Sequence, residues 1–290
     1  MSKLFVVATP IGNLNDISKR ALDILNEVDL ILAEDTRHTL KLLNAFDIKT
    51  KMTAYHKFNE KKKSYEIIDE MKEKEMNVAI VTDAGTPCIS DPGYEIVKEA
   101  HENGIEVYGI PGCSAVINAL SIAGFDTLSF SFLGFIPREN KELKEFYDRI
   151  KNNDTYSVVC YESPKRIIKS LEKIQEEFLN IEIAVTHDMT KFHEKIYRGE
   201  ISEVLEMLKN NENAEKGEYA IVINNKKMLE EKDKEVTTNG ARTIEGMLID
   251  EIVENNVSMK EAIKIVTDKT DYSKTDVYDA SLSLKKLFER

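Results

Sequence analysis

The sequence predicts two consecutive α/β units followed by a short helical segment. Three observations predict it. Short apolar runs alternate with segments of helical period, which is the signature of strands and covering helices. Turns rich in Gly and Pro close those runs. A polar, charged stretch over 226–240 precedes three further helical patterns. A βαβα alternation implies a parallel sheet with helices on its faces. The boundaries expected from this pattern are 1–124 for the first α/β unit, 125–225 for the second, 226–240 for a linker and 241–290 for an accessory helical domain.

Leu4–Ala8 is a short apolar run that ends at a Thr-Pro-Ile-Gly turn, and it reads as a buried strand. Ile17, Ala21, Leu22, Leu25 and Val28 then follow at helical spacing. Leu30–Ala33 is the next strand, and Thr36–Phe46 a helix with Leu40 and Leu43 expected inside. Glu60–Lys74 is a charged helix with a thin stripe of Ile67, Ile68 and Met71, and Asn77–Thr82 is a strand. Ser90 or Asp91 is expected to cap the following helix, with Pro92 near its first turn and Gly104 beyond its end. Ile105–Ile110 is a strand, and Ser114–Ala123 a helix stopped by Gly124. Asp126–Arg138 reads as a crossing segment into the second unit, which is expected to repeat the same logic. There, Tyr156–Tyr161, Ile181–Thr186, His193–Arg198 and Glu218–Ile223 are strands, and Ser163–Glu177 and Ser202–Lys209 are helices. Thr243–Asn255, Ser258–Thr267 and Thr275–Phe288 are the three terminal helices.

At 290 residues the chain accommodates two domains of ordinary size, of roughly 100–200 residues each. Its 42% hydrophobic and 32% charged content suits a packed core rather than a disordered chain. A formal charge of −12 argues against a general electrostatic coat for DNA, though a local basic rim remains compatible with it. Cys88, Cys113 and Cys160 are odd in number and widely spaced, which predicts a reducing, cytoplasmic setting and no zinc or disulfide framework. The apolar run at the N-terminus is too short for a signal peptide or a membrane span.

In open α/β sheets, ligands bind at the carboxyl ends of the strands. Four irregular segments fall there: Thr9–Leu14, Asp83–Gly93, Pro111–Ala115 and Tyr161–Arg166. The segment Thr82–Gly93 is the richest in Gly, Pro and Asp. Its backbone N–H groups suit a carboxylate, although the same composition also suits an ordinary strand–helix loop. Ser114 opens a helix beside small residues, and on this segment alone it also reads as a plain N-cap. No GxxxxGK[ST], no post-strand G-x-G-x-x-G and no G-x-S-x-G is present. That disfavours a P-loop NTPase, an ordinary dinucleotide loop and a serine-hydrolase elbow. Charged strings at 33–38, 55–60, 162–166 and 190–194 fall at predicted turns. They predict a positive cleft edge around Arg37, Lys57, Lys165 and Lys191 on an otherwise negative surface.

The strings Val7–Leu14, Ala33–Arg37, Thr82–Gly93, Ile110–Ala115, Glu162–Arg166 and Thr190–Glu194, with Arg198-Gly199, occur in order along nearly the whole chain. In combination they resemble the bacterial small-subunit ribosomal RNA cytidine-2′-O-methyltransferases. That family belongs to the tetrapyrrole-methylase superfamily, the class III S-adenosylmethionine (SAM) methyltransferases. The resemblance implies two α/β domains with SAM in the cleft between them, a homodimer, and no metal. It also implies a methyl acceptor that is the ribose 2′-OH of a cytidine in the decoding region of 16S rRNA, within the 30S subunit. Carried over by position, it assigns SAM contacts to Pro10, Ile11, Asp83, Ala84, Gly85, Thr86, Ile89, Ser114, Ala115, Tyr161, Glu218 and Ala220. Two alternatives are a methylase of tetrapyrroles or other small molecules, whose opening loop is usually G-x-G-P-G-D, and a SAM-binding ribosome-assembly module without activity.

Two histidine positions and one string depart from the family pattern. Lys165 and Phe58 stand where it usually carries His, and the E-L-T-K-x-H-E string appears as His187-Asp188-Met189-Thr190-Lys191-Phe192-His193-Glu194. A ribose hydroxyl is weakly acidic, so a base within hydrogen-bond reach helps its attack on a methyl group. His193 is the first candidate for that base and Asp35 the second. Lys191 and Arg37 are expected to orient phosphate or to stabilise developing negative charge.

Overall fold

The computed structural model describes residues 2–230, 243–255, 257–270 and 272–288. It divides into two compact units, Met1–Lys226 and Lys227–Arg290. The first unit holds two five-stranded sheets.

The first sheet is built from β1 (Lys3–Val7), β2 (Leu30–Ala33), β3 (Met52–Ala54), β4 (Val78–Val81) and β5 (Glu106–Ile110), in the order β3-β2-β4-β1-β5. Every pairing in it is parallel. Helices α1 (Lys19–Glu27), α2 (Thr36–Ala45), α3 (Glu60–Lys74), α4 (Tyr94–Glu102) and α5 (Ala115–Ala123) punctuate its strands. A parallel sheet is covered on both faces, so its strands are apolar on both sides. All four residues of β4 are buried accordingly. One face packs Leu4, Leu32 and Ile80 with the α3 stripe of Ile67, Ile68 and Met71. The other packs Val7, Ile31 and Val81 with Ala21, Leu25 and Leu43.

The second sheet is built from β6 (Phe130–Phe135), β7 (Ser157–Glu162), β8 (Glu182–His187), β9 (Lys195–Glu200) and β10 (Tyr219–Asn224), in the order β6-β7-β10-β8-β9. Helices α6 (Asn140–Lys151), α7 (Ile167–Glu177) and α8 (Ile201–Lys209) lie between its strands. Here the expectation of a repeated parallel sheet fails. Only β6 and β7 pair in parallel, while β10 runs antiparallel to β7 and β8, and β9 antiparallel to β8. Cys160 lies on β7, fully buried.

Other expectations also need correction. Leu43 is buried as expected, but Leu40 is 46% exposed, and α2 turns Thr39 and Leu42 inward in its place. Neither Ser90 nor Asp91 caps α4; the cap position is Gly93, with no side-chain bond. The proline at 164 precedes an irregular turn, and α7 begins only at Ile167. The strand β6 lies in the stretch read as a crossing segment, and the strand β3 and the helix α6 lie where no element was expected. Residues 226–230 are helical, and the rest of the expected linker, 231–240, lies outside the described residues.

The second unit is a group of three helices, α9 (Ile244–Glu254), α10 (Met259–Lys269) and α11 (Lys274–Phe288). They bury Leu248, Ala262, Val266, Val277, Ala280 and Leu284 together. A reciprocal cap between Ser258 and Glu261 starts α10.

Candidate active site

In the first sheet all strands point the same way, so their carboxyl ends share one edge. The chain leaves β1 toward β2 on one side and leaves β4 toward β5 on the other. Such a reversal opens a crevice between neighbouring strands. The two loops that emerge there are tied to each other. Thr9 and Gly85 form an antiparallel bridge with N–H···O distances of 2.9 and 3.0 Å. The Thr9 hydroxyl donates to the Thr82 carbonyl at 3.1 Å. Thr86 Oγ1 donates to the Cys113 carbonyl at 3.0 Å, which joins the loop before α5 to the same assembly. Gly85 has φ +85°, a conformation that side chains other than glycine rarely adopt.

The second sheet meets this crevice with the carboxyl ends of β6, β7 and β8. Because β10 is antiparallel to its neighbours, it contributes its amino end at the same edge. A register shift between Phe132 and Phe135 marks a bulge in β6, a device that re-aims side chains next to sites. The Phe135 ring stands edge-on to Tyr161 at 5.4 Å. Glu162, fully buried at the end of β7, is held by the Ser163 N–H at 2.6 Å, by the Ser170 hydroxyl and by the Arg166 guanidinium at 3.2 Å.

Between these edges lies a cavity of about 460 Å³. Of the residues assigned to SAM from the sequence, Ile11, Asp83, Ala84, Gly85, Thr86, Ile89, Ser114, Ala115, Tyr161, Glu218 and Ala220 wall it. Pro10 lines a smaller neighbouring cavity instead. Glu34, Asp91, Phe135, Glu162, Met189 and Tyr219 also face the large cavity and were not singled out. Glu34 and Asp91 sit inside quoted strings at strand ends, and that placement was the available signal. Met189 lies inside the quoted 187–194 string, whereas Phe135 carried no signal, because the bulge in β6 positions it.

The cavity is acidic. Five carboxylates line it, Glu34, Asp83, Asp91, Glu162 and Glu218, and no Lys, Arg or His is among its described lining residues. Arg166 offsets Glu162, and Lys191 offsets Glu218 at 2.9 Å. The other three crowd one another. Burial, reinforced by Glu34 and Asp83, pushes the Asp91 carboxyl up to about 6. Burial likewise raises Glu34, with the neighbouring Asp83 and Asp35 charges adding to it.

None of the four residues nominated for catalysis lines this cavity. Asp35 and Arg37 pair with each other at 2.7 Å, and that bond holds the Asp35 carboxyl well below the usual carboxylate range. The Asp35 N–H donates to Asp83 Oδ1 at 3.1 Å, which connects this pair to the cavity wall. Lys191 bridges Asp188 at 2.7 Å and Glu218, so it braces the β10 edge. His193 is exposed in the β8–β9 turn, edge-on to Phe192 at 4.8 Å. Two aromatic side chains project almost entirely into solvent: Phe58, 96% exposed beside Lys57, and Phe192, 95% exposed beside Lys191.

A two-sheet α/β core with an acidic cavity at the strand ends defines an α/β ligand-binding fold. A profile of the tetrapyrrole (corrin/porphyrin) methylases matches residues 3–205, and the chain belongs to that family. It is 45% identical over 197 residues to Ribosomal RNA small subunit methyltransferase I of Thermotoga maritima, covering 68% of this chain and 87% of that protein. It is 36% identical over 282 residues to the protein of the same name from Haemophilus influenzae, covering 97% of this chain and 96% of that one. Among solved structures, diphthine synthase superposes with a TM-score of 0.59 at 14% identity, over 77% of this chain and 90% of that one, which is a likeness of fold. No helix among the described residues is long and apolar enough to cross a membrane.

Proposed function

We propose that this protein is a SAM-dependent methyltransferase of small-subunit ribosomal RNA, acting on the ribose 2′-OH of a cytidine in the 30S particle. The observation that carries the reading is the acidic cavity at the joined strand ends of a chain collinear with a ribosomal RNA small subunit methyltransferase over 97% of its length. The lining fits SAM by its chemistry. Crowded carboxylates favour a ligand with sulfonium and ammonium charges, and Ile11, Ile89, Phe135, Tyr161 and Met189 offer apolar surface to a purine ring. When bound, SAM supplies a methyl group activated by its sulfonium.

The chain's own residues do the rest. Ile11, Asp83 to Thr86 (Asp83, Ala84, Gly85, Thr86), Ile89, Ser114, Ala115, Tyr161, Glu218 and Ala220 hold and orient the donor. Alignment of this kind is the largest contribution a protein makes to a simple displacement. The attacking hydroxyl must give up a proton. Asp91 and Glu34, whose burial raises their proton affinity, are better acceptors than Asp35, whose affinity Arg37 lowers. His193 and Lys191 act outside the donor cavity, on the RNA side, with Arg37. Phe58 and Phe192, each flanked by a lysine, suit stacking on unstacked RNA bases. A homodimer is the oligomer that the resemblance implies, and sedimentation equilibrium measures it directly.

The test is incubation of the protein with labelled SAM and 30S subunits that lack the modification. Label in an alkali-resistant, 2′-O-methylated dinucleotide of 16S rRNA is the expected result. Binding of SAM with no transfer to any subunit would overturn the proposal.

A further inference from the structure

The loop after β1 and the turn between β8 and β9 meet beside the large cavity. Ile11 on the loop and Met189 on the turn both line it. The residue that follows each of them makes the meeting. A Cβ on Gly12 would stand 2.8 Å from Thr190 Oγ1 and 2.9 Å from Lys191 Cγ, closer than real Cβ atoms come to either. Gly12 does not have a positive φ, so this position needs glycine for room and not for backbone freedom. Neither side of the contact is free to retreat. The loop is held where Thr9 bridges to Gly85. In the turn, the Thr190 N–H donates to Glu194 Oε2 at 2.6 Å, and the Lys191 N–H donates to the Asp188 carbonyl at 3.0 Å. The Lys191 ammonium ties Asp188 to Glu218, and the Asn118 amide donates to Met189 Sδ at 3.6 Å. Asp188 and Thr190, at φ +52° and +66°, hold left-handed backbone on either side of Met189. Such strain persists only where the surroundings over-determine it, and it gathers at ligand clamps. The Thr190 hydroxyl oxygen is buried and has no hydrogen-bond partner, so toward Gly12 it supplies volume and not a bond.

We infer that Gly12 and Thr190 are positioning residues of the donor site: their contact fixes how far apart Ile11 and Met189 stand. It joins a loop of the parallel sheet to a turn of the mixed sheet, at one wall of the cavity that both sheets line. Close-packed atoms resist compression steeply, so the contact acts as a spacer of fixed width. Neither residue lines the cavity, and each acts through its neighbour in the chain. A wall displaced by a fraction of an ångström loosens the grip on the donor and misaligns its methyl group. The inference rests on the reading of the cavity as a SAM site, and it adds which contact sets the width of that site.

The experiment uses the full chain, with SAM and with S-adenosylhomocysteine, the demethylated donor, as a ligand that cannot react. Affinity and dissociation rate are measured for wild type, Gly12→Ala, Thr190→Ala, Thr190→Val and the double variant Gly12→Ala/Thr190→Ala. Urea midpoints confirm that each is folded. Gly12→Ala, which wedges the loop from the turn, is expected to speed dissociation of both ligands about tenfold. Adding Thr190→Ala to it removes the nearest atom the new Cβ strikes, and is expected to recover most of that loss. Thr190→Ala alone leaves a gap opposite Gly12 and is expected to speed dissociation about threefold. Thr190→Val keeps the volume and loses only the hydroxyl, so it is expected to retain slow dissociation. A double variant no better than Gly12→Ala would overturn the inference. If Gly12→Ala does not fold, the two Thr190 variants decide, and equal dissociation from both would overturn it. Wild type that binds both ligands, with every variant binding equally well, would overturn the spacer and leave the SAM site standing. Wild type that binds neither ligand would overturn the SAM site and the spacer with it.

Discussion

The two sheets of the first unit reach one cavity by different routes. In the parallel sheet every contribution comes from a carboxyl end: Ile11 after β1, Glu34 after β2, Asp83 to Asp91 after β4, and Ser114 and Ala115 after β5. In the mixed sheet, Tyr161 to Pro164 span the carboxyl end of β7 and Met189 follows β8, but Gly217 to Ala220 come from the amino end of β10. The parallel side thus offers loops whose backbone is tied loop to loop. The mixed side offers a strand start braced by the Asp188–Lys191–Glu218 ion pairs. Uniform direction makes a site easy to find in a sequence, whereas reversed strands bring in residues that no motif at a strand end would point to.

The sharpest way to break this comparison is at the turn glycines. Gly217 has φ +80°, and a Cβ there would stand 2.5 Å from Asp188 Oδ2. Gly217→Ala is expected to cost about 3 kcal/mol in urea unfolding, and to weaken SAM binding as the brace shifts. At Gly85 a Cβ would have ordinary room, 3.5 Å from Ile11 Cγ2, so only the backbone is strained. Gly85→Ala is expected to cost about 1 kcal/mol. Equal costs for the two would deny the brace its role.

Next in size is the charge of the parallel side. A cationic ligand binds best when Asp91 is ionised. With its carboxyl at about 6, wild-type affinity for SAM should rise with pH through that value and level off above it. Asp91→Asn is expected to weaken SAM about tenfold at pH 8, roughly 1.4 kcal/mol, and to flatten the dependence between pH 5 and 7. Calorimetry across that range is the check, and an unchanged slope in the variant would assign the titration to Glu34.

Smaller effects belong to the rims. Phe58→Ala and Phe192→Ala should each weaken binding of the ribosomal subunit by about 1 kcal/mol, leaving SAM affinity and melting temperature alone. Smallest is Ser114→Ala, since Ser114 accepts the Ile117 N–H at a long 3.4 Å. A loss near 0.5 kcal/mol, read from the unfolding midpoint, is expected.

The parallel sheet was legible because each buried strand is a continuous apolar run closed by a turn: Leu30–Ala33 is matched residue for residue. Its three-residue edge strand β3, Met-Thr-Ala, offered too short a pattern to register. In the mixed sheet, Phe130–Phe135 was passed over because Gly134 and the bulge interrupt its alternation. The direction of β10 depends on pairings far apart in the chain, which periodicity does not encode. At the site, eleven of the twelve residues assigned to SAM from the sequence line the cavity. The catalytic nominees followed chemical type, which does not encode position: none of the four lines the large cavity, Asp35 pairs with Arg37, and His193 is exposed.

Cys160 is fully enclosed on β7, and its surroundings push the thiol far above its ordinary proton affinity. Alkylating reagents therefore reach that sulfur only when the neighbouring strands part. With Cys88 and Cys113 changed to serine, the modification rate of Cys160 becomes a clock for how often the interior breathes, and donor binding should slow it.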